Sequence, residues 1–222
     1  MMLPECQQSF DRLMRYFAWL VEEYGFSVIH SESGPMGYCG FTLQSGDCRL
    51  SMSVERGYAQ FGQLALVPAA KQLDALTPES RWYYVGEIID YLRGSYLSWP
   101  EIEERNRLFK GLSEEESMAD LSAECRISWP RIMMLFQEDE FKRRQEELEE
   151  FLHRKDEDLH TQSMIISRRR EMEWLKRGQN LQYQQELEEC IRDMGEKTGE
   201  EFDKTQVKWL ELVQKANKDR EN

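Results

Sequence analysis

The stretch CRLSMSVE, residues 48–55, decides how the N-terminal half of this chain folds. Its apolar residues alternate with polar ones, which is the period of a β-strand that has one buried face and one wet face. Three more short segments rich in β-branched and aromatic residues surround it: FSVIHSE, YCGFTLQS and YAQFGQLALV. Turns that contain glycine separate the four segments. The pattern therefore predicts a four-stranded antiparallel meander.

Amphipathic helices are predicted before and after these strands. Apolar residues at 10–24 recur three and four positions apart, and Gly25 is placed to end that helix in the left-handed conformation. After the strands, TPESRWYYVGEIIDYLRG opens with Thr77 as a cap and Pro78 in the first turn, and it closes at Gly94. Helices at the two ends of a meander usually cover one of its faces, so this half is expected to form an α+β domain.

A family resemblance rests on three runs in this half, EEYGF at 22–26, GDCRLSMSVERG at 46–57 and RWYYVGEIIDYL at 81–92. They resemble small α-β-β-β-α domains of uncharacterised bacterial proteins, some of which are immunity proteins of polymorphic-toxin systems. The likeness covers about residues 8–95. It implies the same architecture and a role in binding a toxin, and it supplies no catalytic motif from which a functional residue could be transferred. The long helical extension of this chain departs from those compact proteins.

The tripeptide Ser-Trp-Pro occurs twice, and each copy is interpreted as the start of a helix. In the first copy Ser98 is the expected N-cap, and Glu101 completes a capping box. In the second, Ser128 is the expected N-cap, and Ile127 is expected to pack against Ile132. Each proline falls in the first turn, where its missing N–H costs nothing. Two copies are too few for a solenoid, so the motif is interpreted as a signal that starts a helix and not as a structural repeat.

Helices are also predicted for the rest of the chain. Ser113 and Glu116 form the capping box of a helix between the two copies. After Pro130 no proline or glycine occurs until Gly178, which predicts one helix of about fifty residues. Its apolar residues fit a spacing of 3.5 with gaps, which is typical of a helix that pairs with another helix. This seam consists of Phe141, Leu148, Leu152, Leu159 and Ile166.

Downstream residues supply candidates for the pairing. Two apolar stripes flank the turn GEKTG at 195–199, which favours an antiparallel helical hairpin. The stripes consist of Leu181, Leu187, Ile191 and Met194, then Phe202, Trp209, Leu210, Val213 and Ala216. The predicted fold class is α+β, followed by an all-α region with a coiled-coil-like hairpin. Its three parts are an α+β domain at 1–96, a short helical linker pair at 97–127 and a long-helix and hairpin region at 128–222.

Charge points to the kind of partner. The 222 residues hold 42 Asp and Glu against 29 Lys and Arg, a net charge of −13, which disfavours nucleic acid and favours a basic protein partner. Acid residues concentrate near the start of the long helix, and two tryptophans follow further along the chain. The candidate partner-binding residues are Glu146, Glu147, Glu149, Glu150, Trp174 and Trp209.

Two Glu-x-x-His pairs make one candidate metal site. Glu150 with His153, and Glu157 with His160, form two Glu-x-x-His pairs, a unit found in di-iron helical bundles. Such a site needs inward carboxylates from other helices, whereas this stretch has the pattern of a solvated face. Neither a metal nor another cofactor is therefore expected.

The cysteines are candidates for thiol chemistry. Five cysteines are scattered without a C-x-x-C pair, which predicts reduced thiols in a cytoplasmic protein. The start MMLPECQQSFDR has no basic leader followed by an apolar run, and no apolar run is long enough to span a membrane, in keeping with that location. His30 can serve as a general base near Cys39 or Cys48, but such a histidine is more often hydrogen-bonded in or near the core.

Three functional hypotheses follow. The leading one is a non-catalytic protein of a bacterial conflict system that binds and neutralises a basic toxin or effector. The alternative is an accessory or scaffold subunit of a larger bacterial defence or regulatory assembly, which forms homo-oligomers through its hairpin. The third is a metal-dependent or thiol-dependent enzyme. Neither catalysis nor membrane binding is expected under the first two.

Overall fold

The structure of the chain is a computed structural model that describes residues 3–46, 48–55, 58–66, 82–109, 111–177 and 183–221. The strands are β1 (Ser27–Gly34), β2 (Tyr38–Ser45), β3 (Cys48–Glu55), β4 (Tyr58–Leu66) and β5 (Tyr83–Tyr84). The helices are α1 (Gln7–Glu22), α2 (Val85–Arg93), α3 (Trp99–Phe109), α4 (Glu114–Leu135), α5 (Glu138–Arg177), α6 (Gln184–Glu196) and α7 (Gly199–Glu221). The predicted α+β class, with an all-helical region after the sheet, is confirmed.

The sheet is antiparallel throughout, and its strands lie in chain order. The predicted four-stranded meander is confirmed, with β5 as a short fifth strand that pairs with β4. Between β2 and β3 the register places Phe41 opposite Met52 and Leu43 opposite Leu50. Because side chains alternate along a strand, these residues lie on one face, and all four are buried.

Glycines end the two helices that flank the sheet, as predicted. Gly25 follows α1 with φ +67°, and Gly94 follows α2 with φ +70°. The start of α2 differs from the prediction. Thr77 and Pro78, its expected first residues, lie outside the described residues, and the helix begins only at Val85. The two residues before it pair with β4 instead, and this places the ring of Tyr83 in the core, 5.8 Å from the ring of Phe141.

The described chain forms two compact units. The first comprises Met1–Tyr96 with Glu103–Leu152, and the second comprises Leu97–Ile102 with His153–Asn222. The first unit therefore contains α4 and the start of α5 as well as the sheet with α1 and α2.

One hydrophobic core unites the elements of the first unit. It combines the apolar face of the sheet with buried residues of four helices, among them Phe17 of α1, Ile88 of α2, Trp129 of α4 and Leu148 of α5. The helices thus cover the face of the sheet that the alternation in CRLSMSVE marks as apolar.

The two Ser-Trp-Pro copies have different structures. The first begins α3 as predicted, because Ser98 precedes the helix and its N–H donates to Glu101 Oε2 over 2.7 Å. The second lies inside α4, so the prediction that Ser128 caps a helix is wrong. Trp129 is fully buried there and contacts Trp19 edge-on, with the ring centroids 5.2 Å apart. A proline inside a helix destabilises it by about 3 kcal/mol. The free energy gained by burying an aromatic side chain as large as that of Trp129 is sufficient to offset this cost.

Two further expectations about α4 and α5 are corrected. Ile127 is 81% exposed whereas Ile132 is buried, so these side chains do not pack against each other. The predicted single helix after Pro130 is interrupted, because α4 ends at Leu135 and α5 begins at Glu138. The cap of α4 at Ser113 is confirmed, since its hydroxyl accepts from the Glu116 N–H and the Glu116 carboxylate accepts from the Ser113 N–H.

The second unit has its own core, and the predicted hairpin of α6 and α7 is confirmed as its main element. The buried residues include Leu187 and Met194 of α6 and Phe202 and Trp209 of α7. Leu210 is 45% exposed and does not belong to the core, contrary to the predicted stripe. Leu181, also assigned to that stripe, lies outside the described residues. In the same unit, the N–H of Trp99 donates to Gln162 Oε1 over 2.7 Å, which fastens the first turn of α3 to α5.

The cysteines depart from the sequence prediction. Cys6 and Cys39 form a disulfide, so the expectation that all five thiols are reduced is wrong. Cys6 lies in the turn before α1 and Cys39 in β2, thirty-three positions apart along the chain. Sequence spacing offered no motif for this pair, because only the packing of α1 against the sheet brings the two residues together.

Candidate functional site

The start of α5 combines an ion-pair network in its first turns with a second group of carboxylates one to two turns later. Lys142 Nζ lies 2.5 Å from Glu138 Oε1, and Arg144 Nε lies 2.6 Å from Glu140 Oε1. Arg143 pairs with the other oxygen of Glu140. Residues 138–150 hold only these three cations against seven carboxylates. The cations are therefore engaged by the first turn of the helix.

The predicted binding residues Glu146, Glu147, Glu149 and Glu150 come one to two turns later. Glu149 is half-buried and accepts from the Tyr83 hydroxyl and from the Gln145 amide, each over 3.0 Å. Glu147 is exposed and accepts from the Tyr91 hydroxyl over 3.1 Å. Glu146 and Glu150 are exposed and form no ion pair or hydrogen bond with any residue that the structure describes.

Aromatic side chains adjoin these carboxylates in the first unit. The ring of Phe151 lies 5.7 Å from that of Tyr91 and 5.6 Å from that of Tyr96, both edge-on. All three rings are half-buried. Partial burial raises the pKa of Tyr91, and its bond to the Glu147 carboxylate raises the pKa further, so the hydroxyl keeps its proton and remains a donor. We call this set the acidic–aromatic surface: Tyr91, Tyr96, Phe151, Glu146, Glu147 and Glu150.

The two tryptophans predicted as anchors are placed differently. Trp209 is 0% exposed in the core of the second unit. Its Nε1–H donates to Glu171 Oε2 over 2.9 Å, and the guanidinium of Arg168 lies over its ring at 5.8 Å. Since it stabilises its own unit, Trp209 presents no surface to a partner. Trp174 lies in α5, and its side chain is outside the part that the structure describes.

The metal candidates lie along an exposed part of α5. His153 Nδ1 is 3.4 Å from Glu157 Oε2, and both side chains are about seven-tenths exposed. Glu150 and His160 are exposed as well. Among the described residues, no group of three or more His, Cys, Asp or Glu side chains is arranged to hold a metal ion.

The thiols and His30 are kept apart by the fold. Cys39 is disulfide-bonded to Cys6, and Cys48 is buried on the core face of β3. His30 is exposed and pairs in register with Thr42, which alternates with the core-facing residues of β2. His30 therefore lies on the opposite face of the sheet from both cysteines. Burial raises the pKa of the Cys125 thiol to about 12, which leaves it without nucleophilic character at neutral pH.

Two concave features of the first unit were not predicted. A cavity of about 590 Å³ between α1 and α4 is lined by residues that include Arg15, Trp19 and Ile127. A second, of about 390 Å³, lies where α2, α4 and α5 meet. Its arginines are bound within the unit, since Arg131 donates to the Leu92 carbonyl and the others pair with Glu140. The cavity between α1 and α4 forms where these two helices pack, and the Trp19–Ser122 hydrogen bond across them joins residues 103 positions apart, which local sequence patterns do not show.

Comparison of the chain with protein-family models, with curated proteins and with solved structures finds no match. None of the described helices is long and apolar enough to cross a membrane.

Proposed function

We propose that this chain is a non-catalytic protein of a bacterial conflict system that binds and neutralises a basic toxin or effector through the acidic–aromatic surface. The observation that carries the proposal is that Glu146 and Glu150, both exposed on α5, form no ion pair with any residue that the structure describes. Lys142, Arg143 and Arg144 are held by Glu138 and Glu140, which leaves Glu146 and Glu150 to attract charge from outside the chain.

The adjoining rings supply the second component of an interface. Tyrosine and phenylalanine bury a large area with few rotatable bonds, and aromatic residues dominate the binding free energy of many protein interfaces. Tyr91 and Tyr96 each already pack against Phe151, so little side-chain entropy would be lost when a partner covers the three rings. The net charge of −13 adds long-range attraction for a basic partner and raises the association rate.

Co-expression with the products of neighbouring genes tests this function. The intact chain is expected to co-purify with one basic product and to suppress its toxicity. The triple variant Glu146→Lys, Glu147→Lys and Glu150→Lys is expected to weaken that complex by at least about tenfold, because opposite charges across the interface become like charges.

A matched control reverses three exposed carboxylates elsewhere, Glu189→Lys, Glu196→Lys and Glu211→Lys. This control changes the net charge equally and is expected to leave the complex intact. If both triple variants weakened the complex equally, the effect would come from the net charge of the chain, which would contradict a local binding surface on α5. A complex that survives the reversal on α5 would contradict the proposal directly.

A scaffold subunit that self-associates is the second candidate, and one observation favours it. Val207 and Leu210, three positions apart on α7, are 56% and 45% exposed. An apolar stripe of this kind is suited to pair with a second copy. Under this function the purified chain forms a stable oligomer that Val207→Asp with Leu210→Asp dissociates, as sedimentation velocity would show. A monomer at high concentration would exclude it.

A further inference from the structure

The cavity between α1 and α4 carries a chemistry opposite to that of the acidic–aromatic surface. Its floor is lined by Tyr16, Trp19 and Ser122, and Trp19 is 4% exposed. The Trp19 Nε1–H donates to Ser122 Oγ over 2.9 Å, and the Ser122 hydroxyl donates to the Tyr16 carbonyl over 2.6 Å. Because these polar groups satisfy one another, the floor offers an occupant carbon surface without a donor that needs pairing.

One wall is a stripe of small and apolar side chains on α4. Ala119, Ala123 and Ile127 are spaced four residues apart, so they lie on one face of the helix, and all three are exposed. The alanine methyl groups allow another backbone to approach closely. Ile127, 81% exposed, gains the most from being covered.

Two arginines line this groove although the chain as a whole is acidic. Arg15 on α1 and Arg126 on α4 both line it. Arg126 pairs with Glu23, whereas Arg15 is exposed and forms no ion pair with any residue that the structure describes. An occupant that matches the groove must therefore be apolar along its centre and acidic along its edge.

We propose that this groove binds an amphipathic helix of a partner protein, with its apolar stripe on Trp19, Ala123 and Ile127 and a flanking Asp or Glu paired with Arg15. A helix fits because a groove between two surface helices accepts the ridge of a third. Residues 119–127 span about 12 Å along α4 at ~1.5 Å per residue, which corresponds to roughly two turns of bound helix. A second copy related by a two-fold axis is a poor occupant, since it would bring its own Arg15 and Arg126 to the same place.

The test uses a displayed library of helical peptides with a fixed apolar stripe, half of them flanked by Glu and half by Lys. Selection on the full chain is expected to enrich the Glu-flanked half. The affinity of an enriched peptide, measured by fluorescence anisotropy, is expected to fall by at least about tenfold in Ile127→Asp. In Arg15→Glu, the Glu-flanked peptide weakens and its Lys-flanked counterpart gains affinity.

Matched controls separate this site from the rest of the surface. Met134→Asp introduces the same charge at another exposed apolar position of α4, 64% exposed and outside the groove, and is expected to leave peptide binding unchanged. The triple reversal of Glu146, Glu147 and Glu150 is also expected to leave it unchanged, so failure of the proposed function and failure of this site are distinguishable. Equal enrichment of both halves, or full binding by Ile127→Asp, would overturn the proposal. So would a dimer of the chain that Ile127→Asp dissociates, because the occupant would then be a second copy.

Discussion

The sulfur atoms of Cys6 and Cys39 are bonded to each other, which ties the turn before α1 to the second strand of the sheet. Both residues are buried in the core of the first unit. A hydrogen bond from the Leu3 N–H to Ser31 Oγ, over 2.7 Å, fastens the same N-terminal segment to β1. The start of the chain is therefore held against the sheet by a covalent bond and a hydrogen bond.

Removal of the disulfide is expected to destabilise the protein strongly. The bond closes a loop of 33 residues, and such a cross-link restricts the unfolded chain by an amount worth about 3–4 kcal/mol. The double variant Cys6→Ala and Cys39→Ala is expected to lose a similar free energy of unfolding in urea denaturation.

Thiol alkylation of the oxidised protein in denaturant provides an independent check on this bond. Cys48, Cys125 and Cys190 are not disulfide-bonded, so three labels are expected per chain. Five labels would show that Cys6 and Cys39 are not bonded, and the loss of stability would then need another cause.

Ser113 and Ser128 give a direct test of where α4 begins. Ser113→Ala removes a side chain that caps the first turn and is expected to cost about 1 kcal/mol. Ser128→Ala replaces a residue inside the helix with a better helix former and is expected to be neutral or to stabilise by a few tenths of a kcal/mol. Thermal denaturation of both variants decides the matter. If Ser128→Ala lowered the stability as much as Ser113→Ala, Ser128 would be a helix cap and a helix would begin at the second Ser-Trp-Pro.

Sequence patterns predicted the elements whose causes are local. The alternation from Cys48 to Val54 is a property of one strand, and Gly25 and Gly94 end helices through their own backbone freedom. The second Ser-Trp-Pro failed as a start signal because the environment of Trp129 is set by distant residues. Trp19 and Phe26, about a hundred positions earlier, surround that indole and stabilise a helix that continues through proline.

The sequence predicted the acidic character of the candidate site, but it did not predict which of the carboxylates have hydrogen-bond partners. The sequence places Glu146 to Glu150 together, yet it does not show that Glu149 accepts from the Tyr83 hydroxyl while Glu146 has no partner among the described residues. It also placed Trp209 and Leu210 on the same apolar stripe. Only the packing of α7 in its own unit shows that one is core and the other surface.

Cys125 is expected to make stability fall at alkaline pH. Its folded pKa is raised from 9.0 to about 12, chiefly by burial and then by the nearby Glu124. The unfolded state therefore releases this proton first as pH rises above about 9, and the free energy of unfolding falls by up to ~1.4 kcal/mol per pH unit until the folded pKa is reached. The stabilising contribution is fully present below pH 9. Urea denaturation of the wild type and of Cys125→Ala at about pH 8 and pH 10 isolates the effect, and identical slopes would contradict it.

Truncation of two neighbouring residues of α7 is expected to have very different effects. Trp209 is fully buried and donates a hydrogen bond to Glu171, so Trp209→Ala leaves a large cavity and is expected to cost about 3–5 kcal/mol. Leu210→Ala removes a side chain that is 45% exposed and is expected to cost less than about 1 kcal/mol. Far-UV circular dichroism of the full chain in urea measures both. Comparable losses would place Leu210 in the core after all. If Trp209→Ala instead left the chain fully stable and abolished partner binding alone, the indole would be a binding residue and the assignment of Trp209 to the core of the second unit would be wrong.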